Sequence, residues 1–251
     1  MRALVIAFSM YSRIPMPQVE WNEKNMRYAL CFFPLVGVVT GAGVWGGLFL
    51  CEYLGLGAFF RAAVAVIFPI LVTGGIHMDG FLDTVDAIHS YAEQERRLEI
   101  LKDPHCGAFA IIYGIVYFVG ALAVWMELPR DAVASACTSF VLSRTLSALS
   151  VVSFPLAKNT GLAAMFQTQS DKKKVRWILA GVFLAEILLC LCWDWKRALA
   201  VIAAALFCFG MHYECCRKKF GGITGDLAGF FLQMCELLSV LAVLVVSLFF
   251  G

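Results

Sequence analysis

Asp79, Asp83 and Asp86 are spaced for chemistry. In a helix that turns about 100° per residue, steps of four and seven return to nearly the same face. The three carboxylates would then share one stripe, repelling one another unless a cation lies among them. A hard divalent ion such as Mg²⁺ takes oxygen ligands and completes its shell with water or phosphate oxygens. The spacing therefore suits one or two Mg²⁺ ions at the mouth of a helical bundle. The plain alternative is a solvated acidic face. Two features weigh against it. Gly80 follows Asp79 directly and permits close approach of a ligand or a backbone. A run of seventeen uncharged residues, Ala62 to Met78, leads straight into the stripe, and ionisable groups at a membrane span tend to be functional.

Other residues could serve the same site. Asp103, just before Pro104, could return a fourth carboxylate to it. In the Gly-rich turn before the last apolar run, Thr224 is a candidate helix N-cap, Gly225 is part of the turn, and Asp226 falls in the first helical turn. Such a turn can also cradle phosphate at a helix N-terminus. Arg144 lies inside an apolar run, where an unpaired Arg costs at least ~2.5–3.5 kcal/mol. It needs Glu236, Asp79 or an anionic ligand as partner. His77 reads as a packed histidine.

The elements that hold these residues follow from composition. The chain has 251 residues, 61% of them hydrophobic and 15% charged, with a mean hydropathy of +0.81. An ordinary soluble domain is ~25% charged. The long unbroken apolar runs exclude the alternation of a membrane β-barrel. The expected fold is all-α: a polytopic membrane bundle of about seven transmembrane helices, one domain over 1–251, with a retained interfacial helix at the N-terminus. The spans fall at 28–54, 58–76, 106–127, 132–154, 176–193, 197–213 and 228–250. The run GVVTGAGVWGG suits close helix packing in lipid. Neither repeat symmetry nor paired discontinuous spans are apparent, which argues against the rival reading, a cation or solute transporter. With the N-terminus inside, 15 of the 20 Lys and Arg lie on inner loops and 4 on outer ones. The positive-inside rule then puts Asp79 and Asp226 on the cytoplasmic face. The ten cysteines contain no CxxC pair and read as reduced packing residues. A net charge of +2 gives no argument for nucleic-acid binding. Bound metal, Gly-rich backbone and nearby cations together are what phosphoryl transfer needs.

GGIHMDGFLDTVDAIHS, ERRLEILKDPHCGAFA and GGITGDLAGFFLQMCE, with the weaker RIPMP, FFPLVG and LSR in the same order, resemble the cobalamin synthase family, the adenosylcobinamide-GDP ribazoletransferases. The likeness covers nearly the whole chain. A more distant likeness to CDP-alcohol phosphotransferases lacks their DGxxAR element, since Phe81-Leu82-Asp83-Thr84 follows Gly80. The family resemblance implies a prokaryotic inner-membrane enzyme; assembly of like copies is left open by the sequence. Its reaction would join adenosylcobinamide-GDP to α-ribazole or its 5′-phosphate, with loss of GMP. It implies Mg²⁺ on Asp79, Asp83, Asp86 and Asp103, one of which could be the general base. It also implies a pocket completed by Asp226 and Glu236, with Arg97, Lys102 and Arg144 toward phosphate or leaving group. Similar proteins often carry an acid seven residues after Asp226; here the residue is Gln233.

Overall fold

The computed structural model describes residues 1–250. The chain begins with α1 (Arg2–Tyr11), then a single turn α2 (Glu23–Met26) that runs through a 3₁₀ turn into α3 (Phe33–Tyr53). Next come α4 (Ala58–Thr73), α5 (Ile76–His89), the short α6 (Gln94–Ile100) and α7 (Ala108–Glu127). A 3₁₀ turn then leads through α8 (Val133–Cys137) into α9 (Ser139–Ser153). After α10 (Leu162–Gln169), the long helices α11 (Lys172–Trp193), α12 (Trp195–Lys219) and α13 (Gly225–Phe250) close the bundle.

Six helical stretches are long and apolar enough to cross a bilayer. They agree with six of the seven expected spans to within about six residues at their ends. Their outward faces are apolar, as on α7 (Ile111, Ile115, Val119) and α11 (Leu184, Leu188, Leu189). Such a surface suits hydrocarbon and would not suit water.

The remaining expected span ends in a bend that the sequence reading did not foresee. The expected span 58–76 ends at Thr73, and α4 and α5 meet at 98°. Gly74 and Gly75 both hold positive φ, +67° and +82°, which only glycine adopts without strain. The Ile70 carbonyl accepts from the Gly75 N–H at 3.0 Å, closing α4. The Arg13 N–H donates to the Val72 carbonyl at 2.7 Å, so the segment after α1 covers the break. The stripe does not simply continue the span; it sits on a separate helix. One sharply bent helix pair is therefore present, where the sequence suggested none, and among the described residues it has no bent counterpart.

α9 stands at the centre and is buried along almost its whole length. It is rich in Ser and Thr, whose hydroxyls return hydrogen bonds to the preceding turn, as Ser139 to Ala136 and Ser150 to Ser147, both 2.7 Å. Small residues let neighbouring backbones approach. In α3, Gly37 lies directly against the Phe140 carbonyl, as the GVVTG run led us to expect. α1 docks one face, with Ile6, Ala7 and Phe8 buried, onto the core cluster that holds Leu30, Phe33, Phe166 and Phe220.

Ion pairs tie each end of the bundle. At one end Arg130 meets Glu52 and Arg197 meets Asp131. At the other, Arg27 meets Asp171 at 2.9 Å.

Candidate active site

α5 presents its acids on one side and its apolar residues on the other. Met78, Phe81 and Val85 are buried. The Phe81 ring lies 5.0 Å from Tyr117 of α7 and 5.7 Å from Phe230 of α13, so α5 is clamped between those helices. On the opposite side Asp79 is exposed, and Asp83 and Asp86 are half-buried. Asp83 lies within electrostatic reach of Asp79, Asp226 and Asp86. The stripe expected from spacing is present, and α13 adds Asp226 to it. That meeting depends on Gly80. A Cβ there would lie 2.7 Å from the Asp226 carbonyl oxygen.

Asp226 is fixed by the start of α13. Thr224 is the expected cap: the Leu227 N–H donates to its Oγ1 at 3.2 Å, and its hydroxyl donates to Asp226 Oδ2 at 3.3 Å. The loop before it pairs with the loop after α9. The Ile223 N–H donates to the Pro155 carbonyl at 2.8 Å, and the Ala157 N–H donates to the Ile223 carbonyl at 3.1 Å. This pairing carries Lys158, Thr160 and Gly161 to the acids, and Lys158 acts on Asp226 electrostatically. Together these residues rim a cavity of about 360 Å³. Its rim holds Asp79, Lys158, Gly225 and Asp226, and its walls are largely apolar and aromatic.

The remaining candidates lie elsewhere. Arg144 and Glu236 pair with each other, Nη1 to Oε1 at 2.5 Å, both buried in the bundle core. Ser143 donates to the same Glu236 oxygen at 3.1 Å. Of the three partners open to Arg144, the fold takes Glu236, and neither residue lines the cavity. Arg97 donates to the Lys219 carbonyl at 3.3 Å, which ties α6 to the end of α12. Lys102 is exposed beside Leu101, and only Leu101 reaches the cavity wall. Asp103 turns to its neighbour: His105 donates its N–H at 3.0 Å and its ring lies at 2.7 Å, holding the carboxyl below its ordinary range. Gln233 accepts from the Tyr117 hydroxyl at 2.6 Å. At that position a neutral side chain serves helix packing.

Sequence reasoning missed Lys158. Its segment, Pro155 to Gly161, reads as an ordinary Pro/Asn/Gly turn, and only the pairing with Ile223 aims it. His77, read as packed, is indeed buried, but it also lines the cavity.

The donor set at the site is oxygen only: Asp79, Asp83, Asp86 and Asp226. Among the described residues no three His, Cys, Asp or Glu groups converge tightly enough to hold an ion alone. Mg²⁺ is commonly held by one or two carboxylates plus substrate phosphates. The acids suit an ion whose shell a phosphate completes.

Fold and site together describe a polytopic helical membrane protein with a carboxylate-rimmed cavity at one end of its bundle. The chain belongs to the cobalamin-5-phosphate synthase family, whose family model matches residues 3–244. A relative from Lachnoclostridium phytofermentans, named adenosylcobinamide-GDP ribazoletransferase, is 45% identical over 98% of this chain and 94% of its own length. Relatives of the same name from Desulfitobacterium hafniense and Clostridium botulinum are 33% and 30% identical, covering 96% and 95% of this chain and the same shares of their own. No solved structure matches the chain.

Proposed function

We propose that this protein transfers the phosphocobinamide part of adenosylcobinamide-GDP to the 3′-hydroxyl of α-ribazole, or of its 5′-phosphate. The products are adenosylcobalamin, or its 5′-phosphate, and GMP. The observation that carries this reading is the meeting of Asp79, Asp226 and Lys158 at one cavity, with Asp83 and Asp86 next along the stripe, in a chain whose relatives bear the transferase name.

The ribazole hydroxyl oxygen attacks the phosphorus attached to the aminopropanol arm of cobinamide. The bond from that phosphorus to the bridging oxygen breaks, and GMP leaves with the electron pair. Asp79 is the acid of the stripe on the cavity wall, so it is placed to orient that hydroxyl and accept its proton. Asp83, Asp86 and Asp226 would share Mg²⁺ with the diphosphate. Bound there, Mg²⁺ neutralises phosphate charge and stabilises the leaving group. Lys158 supplies a positive charge within reach of Asp226, suited to a phosphate oxygen. The large corrinoid stays outside, at the interface. The charge asymmetry of the loops supports a cytoplasm-facing site in the inner membrane.

Asp79→Asn tests the assignment. Turnover should fall by at least ~10²-fold, the usual scale for a lost acid–base group, with unchanged membrane insertion and thermal unfolding. Near-normal turnover would remove Asp79 from the mechanism.

A further inference from the structure

We propose that the buried inner end of the cavity is the seat of the acceptor nucleoside's base, a bicyclic ring with few polar atoms, and that His77 contacts its free ring nitrogen. This rests on the transfer reading above and names where one substrate sits. The cavity measures about 360 Å³, within the ~300–1,000 Å³ usual for small-molecule sites. That is room for a nucleoside. A corrin ring with its amide arms would not enter.

The lining is divided. Asp79, Thr160 and Gly161 are exposed at the rim, whereas Leu30, Phe33, Ala148 and Val151 are buried behind them. An amphipathic molecule would lodge its apolar part inward and its hydroxyls among the rim acids. The inner wall is also aromatic. Tyr11 lies 4.1 Å from Phe33 and stacks on His77 at 5.9 Å and 23°, ring to ring. Flat rings are held well by such surfaces.

One polar atom there is unexplained. His77 is only 5% exposed, and its Nε2 has no hydrogen-bond partner. A buried polar atom left alone is costly, so it points to a missing partner. The Ser147 hydroxyl already donates to the Ala228 carbonyl at 3.4 Å, and Tyr11 adds a second hydroxyl to the lining. The inner end thus offers few polar contacts beside His77. Guanine carries O6, N7 and an amino group and asks more of so apolar a wall than a ring system with one polar atom. A benzimidazole nucleoside has a single free ring nitrogen, an acceptor, which matches a donating His77 Nε2–H. The leaving nucleotide then belongs outside this end.

The test uses the full chain in detergent and two acceptors: α-ribazole, and the corresponding indole riboside, in which a C–H replaces the free nitrogen. Wild type should bind α-ribazole about 5–15-fold more tightly than the indole analogue, the scale of one net hydrogen bond. His77→Phe, which keeps an aromatic ring, should abolish that preference. It should raise KM for α-ribazole by a similar factor and leave KM for adenosylcobinamide-GDP within twofold. A merely structural histidine would not discriminate between the two acceptors. If wild type binds both equally, or if His77→Phe raises KM for adenosylcobinamide-GDP instead, the proposal is overturned while the transfer reading stands. Should the variant not fold, the wild-type comparison alone decides. Absence of GMP release by wild type would overturn the transfer reading itself.

Discussion

Gly80→Ala should uncouple the two halves of the acid cluster. The added Cβ would lie 2.7 Å from the Asp226 carbonyl oxygen and 2.9 Å from Asp226 Cα. Both are backbone atoms and cannot rotate aside. Carbon atoms rest comfortably at about 3.5 Å or more, so α5 and α13 must part by roughly 0.6 Å at their crossing. An extra methyl in a packed contact typically costs ~1–3 kcal/mol. The separation moves Asp79 relative to Asp226. Because a misplacement of ~1 Å can cost ~10²-fold in rate, we expect a fall of roughly 10- to 100-fold. Gly181→Ala on α11 is the control: a Cβ there meets nothing within 4 Å. It should leave turnover unchanged and gain up to ~0.5–1 kcal/mol in helix stability. The assay is GMP release at saturating substrates, paired with thermal unfolding in detergent. If Gly80→Ala matches wild type in both, the close crossing does not organise the site.

Two further outcomes follow from the same geometry. Arg144→Met and Glu236→Leu should each destabilise by ~3–5 kcal/mol, because each leaves a buried charge unpaired. The double variant should lose much less than the sum, and an additive result in a thermal-unfolding cycle would show that the pair is not coupled. Lys158→Ala should weaken binding of the diphosphate substrate by roughly 10-fold or more, the scale of a charge-assisted hydrogen bond, with Lys158→Arg partly restoring it. An unchanged KM would place Lys158 outside the phosphate path.

Helical class, most crossings and the Asp79–Asp83–Asp86 stripe were legible because each depends on local pattern: apolar length, helical spacing, a Thr before a helix start. The break at Gly74-Gly75 was written in the sequence as a glycine pair, but the seventeen uncharged residues around it read as one continuous run. Lys158 was hidden because its place depends on Ile223 pairing with Pro155 and Ala157, a contact no local pattern announces. Arg144 declared that it needed a partner without naming it, since α9 and α13 meet only in the folded bundle. Asp103 failed to join the stripe for a local reason. His105, two residues on, satisfies it first.

The most direct measurement of the central claim is a turnover assay on detergent-solubilised protein with adenosylcobinamide-GDP and α-ribazole, following GMP and cobalamin together. Both products are expected in equal amounts, with their loss on adding EDTA and their return on titrating Mg²⁺. Turnover unchanged by chelation would contradict the metal role of the aspartates. GMP without cobalamin, or neither product from folded protein, would contradict the transfer itself.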